Sequence, residues 1–190
     1  MTVCFAVVFS LFAPIAFAEP AIPSLGSGAN EVIVFADYFC PPCKRIDTKA
    51  ESLLKELLAT GSVKITFVDV PFHRLTPMYV KYYLYAANAN GEANNIFRVR
   101  KILFEAAQEK RIQTEDELVA YLNSQKIALK PLNEKSFHPL LSAVIKEGKV
   151  DQTPTCIIRY GLAGEKKYIG DIEIWDGLMQ MKTMLKSGKK

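Results

Sequence analysis

Cys40 and Cys43 are separated by Pro41 and Pro42 in the stretch VFADYFCPPCKRI, Val34 to Ile46. A thiolate, not a thiol, attacks disulfides, and its formation is favoured where a helix N-terminus presents partial positive charge. The stretch runs from an apolar strand-like segment into a helix-like pattern, so Cys40 sits at the helix start. Cys43 lies one turn further on, on the apolar face. This spacing assigns Cys40 as the exposed nucleophile and Cys43 as the shielded resolving thiol that releases a mixed disulfide. Two other uses of the pair stay open on the residues alone: a permanent staple, or half of a zinc site. Zinc wants four ligands, and only Cys156, His73 and His138 remain, none at ligand spacing to one another. No metal and no cofactor is expected.

The elements that must position the pair follow from periodicity. Val32, Ile33, Val34 and Phe35 form a continuous apolar run of the kind a buried strand carries. Pro41 and Pro42 suit the first turn of a helix, where a missing N–H costs nothing. Ile46, Ala50, Leu53, Leu54, Leu57 and Leu58 then fall at helical spacing, and Gly61 closes the segment. VKITFVDV, Val63 to Val70, is a second strand, which with the first implies a right-handed crossover and a parallel pair. Residues 71–150 contain no convincing strand and about four helices. Thr114 and Glu117 have the spacing of a capping box, and Phe137, Leu140, Leu141, Val144 and Ile145 recur helically before Gly148. TPTCIIRY (Thr153 to Tyr160) and KKYIG (Lys166 to Gly170) read as a hairpin across GLAGE, and Ile174, Leu178, Met181 and Leu185 mark a last helix. The predicted architecture is a layered α/β sheet with a helical insertion between the second and third strands.

The N-terminal MTVCFAVVFSLFAPIAFAEP is apolar and uncharged until Glu19, and it reads as a secretory signal. Ala16, Phe17 and Ala18 supply the cleavage pattern, so residues 1–18 are expected to leave and residues 19–190 to form one domain, with 71–150 as its inserted block. EPAIPSLGSGAN is taken as a short lead-in. Cys4 departs with the signal, which leaves Cys40, Cys43 and Cys156. An exported protein that used disulfides only as staples would favour an even set, so a close pair plus a leftover points to work for the pair. With 49% hydrophobic and 23% charged residues the composition is that of a folded protein. The net charge of +4 is mild. Apart from Lys186, Lys189 and Lys190, its basic residues are mixed with acids, which excludes a nucleic-acid footprint.

A CxxC at the first strand-to-helix junction, joined to Thr153-Pro154 at the start of the third strand, resembles the thioredoxin superfamily. The helical block is similar to that of the DsbA-type exported thiol-disulfide oxidoreductases, and VFADYFCPPCKRI is similar to the catalytic domains of the DsbC and DsbG isomerases. The resemblance implies a cis peptide at Thr153-Pro154, opposite the cysteines, with the Thr153 backbone available to a bound substrate strand. It also implies protein thiols or disulfides as substrates, a membrane or soluble redox partner, a periplasmic location and a monomer. Three departures stand out. The N-terminal dimerisation domain of those isomerases is missing, which argues against isomerase activity, and Phe39 stands where thioredoxin itself usually has Trp. The first strand also lacks the buried acid of many members, which leaves Asp37 or Asp69 as candidates for proton transfer to Cys43. Strongly oxidising members carry a histidine where this chain has Pro42, so a less oxidising pair is expected.

Cys156 is expected to be a buried free thiol, turned away from the site. Tyr79, Tyr82, Tyr83 and Tyr85 fit core packing better than a substrate groove. His73 and His138 are taken as ordinary. The competing class is a non-catalytic binding module in which Cys40–Cys43 is only a clamp.

Overall fold

The computed structural model describes residues 21–187, so the expected signal segment, Cys4, Lys189 and Lys190 lie outside the described residues. The described residues begin with a two-residue strand, β1 (Ser24–Leu25), and a seven-residue strand, β2 (Asn30–Ala36). They are followed by α1 (Pro41–Ala59) and β3 (Val63–Asp69). The insertion carries α2 (Thr76–Ala89), α3 (Ala93–Gln108), α4 (Glu115–Ser124), a single 3-10 turn (Glu134–Phe137) and α5 (His138–Glu147). The chain ends with β4 (Thr155–Tyr160), β5 (Glu165–Ile169) and α6 (Asp171–Ser187).

The sheet order is β1-β3-β2-β4-β5, with β2 and β3 parallel and every other neighbouring pair antiparallel. Its centre is β2, which runs from Asn30↔Val63 to Ala36↔Asp69 against β3 and from Asn30↔Tyr160 to Phe35↔Thr155 against β4. The run of apolar residues in β2 has its cause in this position, because both faces of the strand are covered. Val32, Val34 and Ala36 enter the larger core, together with the inner faces of α1, α2, α3 and α6. Ile33 and Phe35 enter a smaller one with Val68, Val70, Val150 and Ile157, over which α5 lays Leu141, Val144 and Ile145.

The lead-in contributes more than the sequence suggested. Ser24 and Leu25 pair with Thr66 and Ile65 as an antiparallel edge strand. Gly28 explains the close approach that follows, since a Cβ there would overlap the Ser62 carbonyl group. The strand is too short to leave a periodicity that could be read in advance.

Local signals elsewhere act as expected. Thr114 Oγ1 accepts the Glu117 N–H at 3.4 Å while Glu117 accepts the Thr114 N–H at 3.2 Å, the reciprocal capping box that starts α4. Gly61 follows α1 at φ 69°, a left-handed conformation natural to glycine. Tyr79, Tyr82 and Tyr83 are buried in the core. Among the described residues no helix is long and apolar enough to cross a membrane.

Candidate active site

Cys40 is the N-cap of α1, in extended conformation (φ −94°, ψ 110°), and its Sγ accepts the Cys43 N–H at 3.3 Å. Pro41 and Pro42 fill the first two helical positions, so neither can compete for that acceptor. The helix therefore aims one N–H and its positive end at the Cys40 sulfur. Cys40 and Cys43 are joined as a disulfide with Cα atoms 5.2 Å apart. Cys40 is half-buried, whereas Cys43 has no exposed surface and belongs to the larger core. One sulfur can thus be reached from outside and the other is sealed beneath it.

The loop before the helix is held by four separate anchors. Asp37 Oδ1 accepts the Phe39 N–H at 2.7 Å, and its Oδ2 accepts the His73 N–H and the Thr76 hydroxyl, each at 2.9 Å. Buried Tyr38 donates its hydroxyl to Asp69 at 3.1 Å and packs its ring on Phe104 and Tyr79. Phe39 stacks on His73 with ring centroids 3.9 Å apart. From the end of α3, Gln108 Nε2 donates to the Tyr38 carbonyl at 2.8 Å and to the Cys40 carbonyl at 3.1 Å. Asp37 and Asp69 both flank the loop, with their oxygens committed to these donors. His73, expected to be ordinary, lies beside the site. Its place depends on a ring contact between two loops that no spacing encodes.

Thr153 and Pro154 come to the cysteines from the far end of the chain. Their peptide bond is cis, and the Thr153 carbonyl oxygen lies 3.5 Å from Cys40 Sγ. The register of β4 begins at Thr155, opposite Phe35 and Ile169, which leaves the Thr153 backbone outside the ladder. The Pro154 carbonyl accepts the Gly170 N–H at 2.9 Å, which ties this turn to the start of α6.

Sequence reasoning missed the buried ion network below the loop. Arg100, fully buried on α3, donates from Nε to Asp47 at 2.8 Å and from Nη1 to Asp69 at 3.2 Å, and its guanidinium covers the Phe67 ring at 4.1 Å. Burial raises the carboxyls of Asp47 and Asp69 above the ordinary carboxylate value, against the pull of Arg100. Burial alone would lower the Arg100 pKa, but the two carboxylates hold it raised and the guanidinium charged. The signal was a charge inside an apolar stripe: Asp47 lies among Cys43, Ile46 and Ala50, and Arg100 among Ile96, Phe97, Leu103 and Phe104. Neither position names its partner in the sequence, because the pairing depends on how α3 packs against α1 and β3.

Cys156 is free and buried, and it enters the larger core that also receives Cys43. Burial pushes its thiol up to about 12. It is therefore protonated at neutral pH and inert. In the fully reduced protein, iodoacetamide at pH 8 is expected to label Cys40 and to spare Cys156 until urea unfolds the chain. Native labelling of Cys156 at a comparable rate, read by peptide mass, would contradict its sealed position.

Among the described residues no three His, Cys, Asp or Glu side chains gather as a metal site requires. A family model described as thioredoxin matches residues 26–172. Among solved structures, a periplasmic thioredoxin-like protein from Salmonella enterica serovar Typhimurium matches at 19% identity and TM-score 0.65, covering 89% of this chain and 92% of that one. DsbA2 from Pseudomonas aeruginosa matches at 16% identity and TM-score 0.57, with coverages of 85% and 95%. Oxidised BdbD from Bacillus subtilis matches at 19% and 0.59, again with 85% and 95%. At these identities the likeness is one of fold, and it includes the helices inserted into the sheet. No curated protein matches the sequence.

Proposed function

This chain belongs to the thioredoxin family, and on that footing we propose that it is an exported thiol-disulfide oxidoreductase that exchanges disulfides with protein substrates through Cys40 and Cys43. The observation that carries the proposal is the asymmetry of the pair. Cys40 caps the helix within reach of solvent and of the Thr153 carbonyl, while Cys43 is sealed one turn behind it.

In the reductive direction the Cys40 thiolate attacks one sulfur of a substrate disulfide. A mixed disulfide forms and one substrate thiolate leaves, taking a proton from water. Deprotonated Cys43 then attacks the Cys40 sulfur, which restores the Cys40–Cys43 disulfide and releases the second substrate thiol. In the oxidative direction a substrate thiolate attacks Cys40 of the disulfide and expels Cys43, and a second substrate thiolate then frees Cys40. Each half is a two-electron exchange between thiols and disulfides, so no cofactor is called for. Thr153 and Pro154 would receive the substrate backbone beside Cys40. A membrane or soluble partner would restore the pair, and the protein would act as a monomer. Removal of residues 1–18 and a periplasmic location are part of this reading, which draws support from the apolar N-terminus and from the periplasmic structural neighbour.

The test is the equilibrium of the pair with a glutathione buffer, followed by insulin reduction. A catalytic pair exchanges with glutathione and accelerates insulin turnover. A midpoint below the about −120 mV of the strongly oxidising type is expected, because the Cys43 N–H is the hydrogen bond that the helix directs to Cys40 Sγ and neither proline adds another. A pair that stays oxidised throughout the buffer range and leaves insulin untouched is a clamp, and the proposal falls.

A further inference from the structure

Beside the residue that precedes Cys40 lies a cleft of about 190 Å³ lined by Phe39, His73, Arg74, Arg111, Ile112 and Gln113. Its floor is the Phe39–His73 stack, and Ile112 lines it from the segment that follows α3. Both arginines are exposed, and among the described residues neither has an ion-pair or side-chain hydrogen-bond partner. The local carboxylates are already used. Asp37 is buried with its oxygens on Phe39, His73 and Thr76, Glu109 is paired with Lys44, and Glu117 caps α4 at Gln113 and Thr114. Two guanidinium groups therefore stand unneutralised around an aromatic floor that includes Phe39, the residue before Cys40. A planar carboxylate matches the fork of such donors, and an aromatic floor excludes water from one side of it.

We propose that this cleft is a carboxylate-binding subsite of the exchange site, so that preferred substrates carry a carboxylate next to their reacting cysteine. The inference rests on the oxidoreductase reading and narrows its substrate class. The chemistry is shared by an acidic residue flanking a cysteine in a polypeptide and by glutathione, whose carboxylates lie within a residue of its thiol.

Arg111 also makes the idea testable without unfolding the protein. It has φ 53°, the left-handed conformation that follows a helix and that favours glycine. Lys126 and Lys149 occupy the same conformation after α4 and α5, so the backbone at Arg111 is not itself an argument for binding. It does mean that Arg111→Gly removes the guanidinium while relaxing the backbone.

The experiment measures second-order rates of mixed-disulfide formation between the oxidised protein and blocked thiol peptides in which Cys is flanked by two Glu, two Gln or two Lys. Glutathione and its doubly esterified form make a parallel pair. Wild type is expected to favour Glu over Lys flanks, and Arg74→Gln with Arg111→Gly to lower that ratio at least about fivefold. The preference should shrink as salt is raised. Lys126→Gly, the same exchange at a left-handed site outside the cleft, should leave the ratio where it was. A preference for glutathione over its ester without a peptide preference identifies a small thiol, and the reverse identifies a polypeptide. Either one supports the subsite. Equal rates for all flanks in wild type together with equal rates for glutathione and its ester, or a preference that survives the double substitution, overturns it. If wild type reacts with none of the thiols, the Gln-flanked peptide included, the oxidoreductase reading itself has failed.

Discussion

Cys43→Ser is expected to accumulate mixed disulfides with client proteins, and Cys40→Ser to form none. The difference follows from accessibility. A substrate sulfur can reach Cys40, which is half-buried at the mouth of the site, but not Cys43, which has no exposed surface. Serine at 43 preserves volume and, above all, keeps the backbone N–H that donates to Cys40 Sγ at 3.3 Å. The nucleophile therefore retains its stabilisation and still attacks. A hydroxyl cannot displace the substrate sulfur, so the intramolecular escape is lost and adducts decay only through external thiols. Because an intramolecular thiol acts at an effective concentration of order 10⁵ M or more when well placed, adduct lifetimes should lengthen by several orders of magnitude. Non-reducing gels of material from the exported compartment, with and without dithiothreitol, report the result. Equal trapping by both variants, or none by Cys43→Ser, contradicts the assignment of roles.

Arg100→Met should produce the largest loss of stability of any single substitution outside the apolar core. The methionine fills a similar volume but leaves Asp47 and Asp69 facing each other's charge, at 8% and 2% side-chain exposure, with no cation. Removing one member of a buried ion cluster costs about 3 to 5 kcal/mol, which for a chain of this length lowers Tm by roughly 6 to 20 °C. The pH dependence gives the cause away. A carboxyl whose folded pKa lies above its unfolded value contributes stability that is complete below the unfolded pKa, about 3.9, and is lost as pH rises through the folded one. Burial already raises both carboxyls, and without Arg100 they rise further. The deficit should therefore be smallest near pH 4 and grow toward pH 7, and Asp47→Asn with Asp69→Asn in the same chain should recover part of it. Urea unfolding at several pH values measures this. A deficit that does not vary with pH would show that lost packing over Phe67, rather than stranded charge, explains the effect. The cluster also bears on the site: Asp69 accepts the Tyr38 hydroxyl, and Tyr38 stands two residues before Cys40.

Part of this was legible because the signals are local. Alternation between strand and helix periodicities, prolines at the start of α1, the capping box of α4 and the glycine after α1 each act within a few residues. A cysteine pair at helix spacing likewise carries its chemistry with it. Thr153-Pro154 was legible in another way, through resemblance, since nothing near position 153 refers to position 40.

By itself, then, the sequence determined the order of the elements from β2 to α6, the helical insertion, the place of Cys40 and Cys43 at the start of α1 and the burial of Cys156. These depend on hydrophobic periodicity and on short-range backbone preferences. The tertiary structure alone decided that Arg100 meets Asp47 and Asp69, and that Gln108 holds the loop carbonyls from the far end of α3. It alone laid His73 flat on Phe39, and it brought Arg74 and Arg111 to one cleft with Phe39, the residue before Cys40. Each of these is a meeting of groups more than 30 residues apart, set by how helices and loops pack onto the sheet. A charge in an apolar stripe announces that it needs a partner, but its own neighbourhood does not say which residue, dozens of positions away, the fold will bring to it.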